Sequence, residues 1–259
     1  MLKTEKPLGH KAYGRIPHLP GSRVGPSDYQ ANPGHVRIAT EAFPPQRKHD
    51  RVIVSEKLDG TNVSCYRRGN EIIPLTRAGY RAETSPYEQH WMFAAWVKQH
   101  EEHFLHGLED GQRFVGEWLA QAHGTRYSLR PTHYRTHSLP PFYIFDLMIG
   151  QTRMPWEALI SAIAATRYFT LQWMPHLLHV GEPLSIEKAV ALLGLYGRNA
   201  ATDPAEGCIW RVETRKRATD PYKVDFLVKF VRPGKVDGCY LPEISGCEPV
   251  WNWRPEEST

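Results

Sequence analysis

Two short runs rich in β-branched residues, 51–58 (RVIVSEKL) and 61–68 (TNVSCYRR), are separated only by Asp59-Gly60. Such runs read as strands, and Asp-Gly between strands is a strong hairpin-turn signal. The expected product is an antiparallel hairpin with Lys57 on rigid backbone directly before the turn. By itself, a lysine in that place is an ordinary surface residue. A third run, 71–77 (EIIPLTR), is expected as an edge strand because Pro74 has no amide proton to give a ladder.

The rest of the chain alternates strands and helices. Ser85-Pro86-Tyr87-Glu88 has the spacing of a capping box and predicts a helix whose apolar face is Met92, Phe93, Trp96 and Val97. Strands are expected at 113–119 and 141–148. A second helical stretch begins near Pro155, with Trp156, Leu159, Ile160 and Ile163 at helical spacing, and a third covers 185–196. Two last strands are read at 207–213 and 224–231. Strands in series with interposed helices predict an α+β body on antiparallel sheets. Residues 1–259 are read as one domain, with 1–50, dense in Pro and Gly, as an N-terminal wrapping segment and 155–197 as a helical insert.

Composition excludes little but is informative. The 41% hydrophobic and 23% charged content is that of a globular protein. No apolar run reaches the roughly 20 residues that span a bilayer. The polar start, 1–14, does not read as a signal peptide, so no membrane association and a cytoplasmic location are expected. The net charge of +4 permits an acidic polymer as partner without demanding one. Eight lysines and arginines between Arg211 and Lys235 make either a solvated face or a phosphate-binding one. The four cysteines form no C-x-x-C pair, and the thirteen histidines lack the spacing of a zinc site.

A lysine amine attacks only after losing its proton, and nearby cations or a bound metal ease that loss. Lys57-Leu58-Asp59-Gly60 resembles the K-x-D-G element of the covalent nucleotidyltransferases: DNA ligases, RNA ligases and mRNA capping enzymes. The longer string EKLDGTN (56–62) is similar to the RNA ligase 2 branch. Five further elements follow in that family's order. Arg77, 20 residues past the lysine, stands in a sequence resembling R-x-G, whose arginine reaches phosphate. Glu117 stands in Phe114-Val115-Gly116-Glu117, resembling F-x-G-E, whose carboxylate accepts from ribose hydroxyls. Phe142 to Asp146 resembles the strand whose aromatic ring stacks on adenine. Period-two alternation puts Tyr143 and Phe145 on one face, and the resemblance selects Phe145. Glu206 to Arg211 resembles E-G-x-V-x-R, whose glutamate helps place a divalent cation. Lys229 falls where the family shows K-x-K: if it is the first lysine, Val231 replaces the second, and if it is the second, Leu227 replaces the first, with Arg232 or Lys223 left to supply the missing charge.

The resemblance also implies that Glu56 contacts the adenine amino group and that Asn62 handles the 5′-phosphate. The segment from Tyr13 to Ser22 looks like the leader of bacterial and phage RNA ligase-like proteins, with no catalytic role expected. The implied fold is the ligase adenylation domain, ATP-grasp-like. Because 28 residues follow Val231, no C-terminal OB domain is expected. The implied activity is an ATP-dependent RNA ligase of RNA repair. It uses ATP and Mg2+ or Mn2+, passes through lysyl-AMP at Lys57, and joins a 5′-phosphate to a 3′-hydroxyl, with room for a protein partner in place of the missing domain. The alternatives are a DNA ligase, a capping-type transferase, or a non-catalytic binder of nucleic-acid ends.

Overall fold

The computed structural model describes residues 5–130 and 137–255. The first four residues of the polar start lie outside them. Helix α1 (Pro33–Thr40) leads into strand β1 (Arg51–Lys57), followed by β2 (Thr61–Arg68) and β3 (Glu71–Thr76). Helices α2 (Glu88–Gln99) and α3 (Glu101–Gly107) precede β4 (Gln112–Trp118), β5 (Phe142–Ile149) and the short β6 (Thr152–Arg153). Then come α4 (Trp156–Ala165), β7 (Leu177–Gly181), α5 (Ile186–Leu193), β8 (Gly207–Thr214) and β9 (Lys223–Val231).

The strands form two antiparallel sheets, one of order β7-β1-β8-β9 and one of order β3-β2-β4-β5-β6. The expected hairpin at Asp59-Gly60 does not form. β1 pairs with β7 and β8, whereas β2 pairs with β3 and β4, so the chain crosses from one sheet to the other just after Lys57. Gly60 serves close approach at this crossing: a Cβ there would stand 2.5 Å from the Trp118 carbonyl oxygen. No such contact is legible from a dipeptide.

Each sheet buries one face against helices, as alternation along a strand dictates. Val52 and Val54 of β1, with Trp210 of β8, pack with α1 and α5. Val63 and Cys65 of β2, Phe114 of β4 and Phe142 of β5 pack under α2, α3 and α4, where Trp96, Phe93 and Phe104 form an aromatic core. The remaining faces turn toward each other. The stretch 155–197, expected as a helical insert, also carries β7, which flanks β1 in the first sheet. Its sequence, LLHVG, is too short and too exposed to show a period. The capping box at Ser85 also fails. α2 begins at Glu88 with Tyr87 as an uncapped N-cap, and Ser85 Oγ accepts from Tyr87 N at 3.3 Å instead. Pro74 does lie in an edge strand, β3.

The N-terminal segment straps both sheets. Ala12 packs on Ile73 and Leu75 of β3, and Tyr13 packs on Val115 and Met148. The chain then crosses to the edge of β9, where Lys229 N donates to Pro17 O at 2.9 Å and Leu19 N donates to Lys229 O at 2.8 Å. The strap satisfies backbone groups that an open edge would leave unpaired.

Candidate active site

The facing sheets enclose a cavity of about 690 Å3. Lys57 ends β1 on the cavity side, in step with Ile53 and Ser55. Its Nζ lies 2.5 Å from Glu206 Oε2. Glu206 immediately precedes β8, whose first residue, Gly207, is the register partner of Lys57. Burial disfavours the charged amine. Glu206, Glu117 and Asp59 outweigh burial and hold Lys57 protonated, with its pKa above the ordinary lysine value.

The carboxylates respond in turn. Burial pushes Glu206 up to about 7 against the pull of Lys57. Burial does the same to Glu117, also about 7, opposed by Lys57 and by the Gly60 amide that donates to its Oε1 at 3.1 Å. Asp59 accepts from Gly124 N at 3.0 Å and from Thr125 Oγ1, and its Oδ2 lies 3.0 Å from the Lys235 ammonium. It thereby ties the crossing to the loop after β4.

Seven of the eight expected site residues line this one cavity: Glu56, Lys57, Asn62, Arg77, Glu117, Phe145 and Lys229. Glu206 joins them through Lys57. Asn62 and Glu117 are register partners on β2 and β4, and Asn62 Oδ1 is buried without a hydrogen-bond partner among the described residues. Arg77, just past β3, is exposed and spends one Nη on Gly14 O at 3.1 Å. Phe145 is the extra residue of a β-bulge. Val115 pairs with Asp146 and Gly116 with Ile144, leaving Phe145 between them and edge-on to Tyr13, ring centroids 5.4 Å apart.

Glu56 departs from its expected role. Strand alternation turns its carboxylate to the face opposite Lys57, where Oε2 accepts from Arg198 N at 2.7 Å. Its Oε1 is buried with no partner among the described residues, and a Cβ on Gly197, whose φ is +66°, would meet it at 2.1 Å. Burial raises its pKa to about 7.

In the lysine element, Leu227 and not Val231 stands beside Lys229 on the cavity, and neither Arg232 nor Lys223 supplies the missing charge there. Leu227 and Lys229 both face the cavity. Arg232 instead donates to Gly194 O, and Lys223 lies exposed at the far end of β9. A cation neither option considered is near Leu227: Arg211, its register partner on β8, also lines the cavity. Arg211 is 4% exposed and ion-paired with Asp146 of the other sheet at 2.8 Å and with Glu213 at 2.7 Å. Asp146 also accepts from Tyr13 Oη at 2.9 Å and from Arg153 Nε at 3.0 Å. The basic run is therefore split: Arg211 and Lys235 are buried in ion pairs, Lys229 faces the cavity, and Lys216, Arg217 and Lys223 are exposed.

From the leader, Tyr13 and Ile16 line the cavity, and the segment that follows reaches Lys229. His18, 1% exposed, meets Ser22 Oγ through Nδ1 at 2.6 Å and Asp28 Oδ2 through Nε2 at 2.9 Å. The same Asp28 oxygen lies 3.5 Å from Lys229 Nζ. Burial and the charge of Lys57 lower the pKa of Lys229, and Asp28 opposes them. Ser55 on the cavity follows from alternation, in step with Lys57. Asp28 and His18 carry no local signal.

Residues 50–231 match the family model described as RNA ligase. No curated protein matches the chain. Similar solved structures include a Naegleria gruberi RNA ligase variant with AMP and Mn, at 16% identity and TM-score 0.48, over 88% of this chain and 61% of that one. Another variant of the same ligase, with ATP and Mn, gives 19% identity and TM-score 0.46, over 71% of this chain and 50% of that one. A putative ATP-dependent DNA ligase from Aquifex aeolicus gives 14% identity and TM-score 0.43, over 85% and 49%. The chain thus spans half to about three-fifths of the length of these structures. With its α+β body of two antiparallel sheets and a family match across most of its length, the chain belongs to the RNA ligase family.

Proposed function

We propose that this chain is an ATP-dependent RNA ligase acting through a covalent lysyl-AMP at Lys57, within a single nucleotidyltransferase domain. One observation carries the reading. Lys57, Glu117 and Lys229 converge on one cavity that also offers the Phe145 ring and the Ile209 side chain as apolar walls. A purine between apolar walls with its phosphates toward lysines is the arrangement those groups favour.

Lys57 Nζ, once deprotonated, attacks the α-phosphorus of ATP. The N–P bond forms as the bond to pyrophosphate breaks. Lys229 and Arg77 meet the negative charge on the phosphate oxygens. An oxygen of a 5′-phosphate end then displaces Lys57 from phosphorus, giving a 5′–5′ phosphoanhydride and restoring the amine. A 3′-hydroxyl finally attacks that 5′-phosphate and AMP leaves. Among the described residues no cluster of three metal-ligating side chains is preformed. Glu206 nonetheless fits Mg2+ or Mn2+, because such ions take one or two carboxylates and complete their shell with phosphate oxygens. A bound divalent cation would neutralise phosphate charge and compete with Lys57 for Glu206.

Incubation with α-labelled ATP and Mg2+ tests the proposal. The chain takes covalent label and Lys57→Ala does not; label retained by Lys57→Ala sinks it. Label from GTP instead would mean a capping-type transferase. Leu227 in place of a lysine favours a second reading, an end-binding protein without turnover, which is the outcome if RNA ends bind and no covalent AMP forms. No helix among the described residues is long and apolar enough to cross a membrane.

A further inference from the structure

The elements around the cavity give it lining of different chemistry. Strands β5, β8 and β9 supply Phe145, Arg211 and Lys229. The connection between β3 and α2, with the start of α2, supplies a largely aromatic compartment walled by Tyr80, Pro86, Tyr87 and His90. The cation that this connection gives the cavity is Arg77, which directly follows β3.

The wall is built to present flat, uncharged surface. Tyr87 is 51% exposed and Tyr80 is 37% exposed. Tyr87 meets the His90 ring edge-on, with centroids 5.9 Å apart, and Ser85 Oγ fixes His90 through Nδ1 at 2.6 Å. Burial, helped by His123, drives the His90 pKa down to about 4, so the ring is neutral at physiological pH. Its Nε2 makes no hydrogen bond among the described residues and remains free to meet a polar edge. Trp91, 52% exposed, extends the aromatic surface beyond the rim and is oriented by an Nε1 donation to Ser85 O at 2.5 Å.

Phosphate oxygens belong at Arg77. The neutral aromatic wall suits the face of a base, which stacks on such rings whatever its sequence. A base paired at a nick must first leave its stack, at a cost of a few kcal/mol. Resting on the function proposed above, we infer that this compartment holds the unpaired 5′-terminal nucleoside of the phosphate-bearing RNA, with its base on Tyr87 and its 5′-phosphate at Arg77. The preferred end is therefore single-stranded or frayed.

The test follows AMP transfer from the lysyl-AMP protein to one short 5′-phosphorylated RNA, supplied free or annealed in a nicked duplex. The free RNA is the better acceptor. Tyr87→Ala lowers the ratio of AMP transfer to lysyl-AMP formation about tenfold on free RNA, the size of one lost stacked base, and Tyr87→Phe retains it. A preference for the nick, an unchanged ratio in Tyr87→Ala, or a Tyr87→Phe loss equal to that of Ala overturns the inference. If no lysyl-AMP forms at all, the proposed function fails while the compartment stays testable. Fluorescence anisotropy of the same free RNA then shows binding about tenfold weaker in Tyr87→Ala, and equal binding overturns the assignment.

Discussion

Lys57 Nζ donates to Glu206 Oε2 across 2.5 Å, and this contact keeps the amine in the form that cannot attack. Burial alone would push Lys57 toward neutrality. The surrounding carboxylates reverse that tendency. Glu206→Gln removes the nearest one and lowers the Lys57 pKa, with Glu117 and Asp59 still opposing burial. At a fixed pH below the Lys57 pKa, each unit by which that pKa falls raises the neutral fraction about tenfold. Labelling of Lys57 by an amine-directed reagent at pH 8 should therefore rise, by about tenfold for each unit, while metal-dependent lysyl-AMP formation is lost. An unchanged labelling rate would show that Glu206 is not the restraint.

Glu56 stores a pH dependence in the fold. Its pKa rises from an ordinary 4.5 to about 7 because it is buried with no cation paired to its carboxylate among the described residues. A raised carboxylate stabilises the fold fully below its unfolded pKa, and that contribution is lost as pH climbs through the folded value. Glu117 and Glu206 shift the same way. Stability should fall between about pH 4.5 and 7, by on the order of 3 kcal/mol for Glu56. Glu56→Gln should flatten that share of the slope in urea titrations at stepped pH; a variant with the same slope as the wild type refutes the assignment.

Asp28 competes with a bound phosphate for the Lys229 ammonium, 3.5 Å away. Asp28→Asn keeps a hydrogen-bonding group beside His18 but removes the competing charge. Pyrophosphate, as a probe of the lysine, should bind several-fold tighter. The effect is limited to about 1 kcal/mol because the Asp28 side chain is partly solvated. Isothermal titration with pyrophosphate measures it. Unchanged or weaker binding would mean that Asp28 supports Lys229 in place.

Asp146 is the centre of the clasp between the sheets. Asp146→Asn leaves Arg211 buried with Glu213 as its remaining carboxylate partner among the described residues and should cost about 3 kcal/mol in urea unfolding, the low end for breaking a buried pair. Tyr13→Phe deletes only one bond of the clasp and should cost about 1 kcal/mol. Equal losses from the two variants would mean that Tyr13, rather than the charge, organises the clasp.

Much of the strand order was legible because β-branched runs and period-two alternation are local properties. Sheet membership was not. Asp59-Gly60 looks the same in a hairpin and at a crossing, and what separates them is the partner of Gly60, the Trp118 carbonyl, 58 residues away. β7 was missed because an exposed edge strand needs no apolar period. Family order proposes the eight candidate site residues, and strand alternation then distinguishes two of them: it turns Lys57 to the cavity and the Glu56 carboxylate to the opposite face of β1. The roles of His18 and Asp28 depend on a bridge between the N-terminal strap and β9, which leaves no trace in either segment.

The crossing puts Lys57 at a pivot. Its strand belongs to one sheet, and four residues later the chain belongs to the other. Under the function proposed above, a ligand held by Lys229 on one blade and Arg77 on the other would load the lysine as the rivet of a pair of shears is loaded. Closing force and aiming force would then be the same force, and a substrate too short to reach both blades would be held without being aimed.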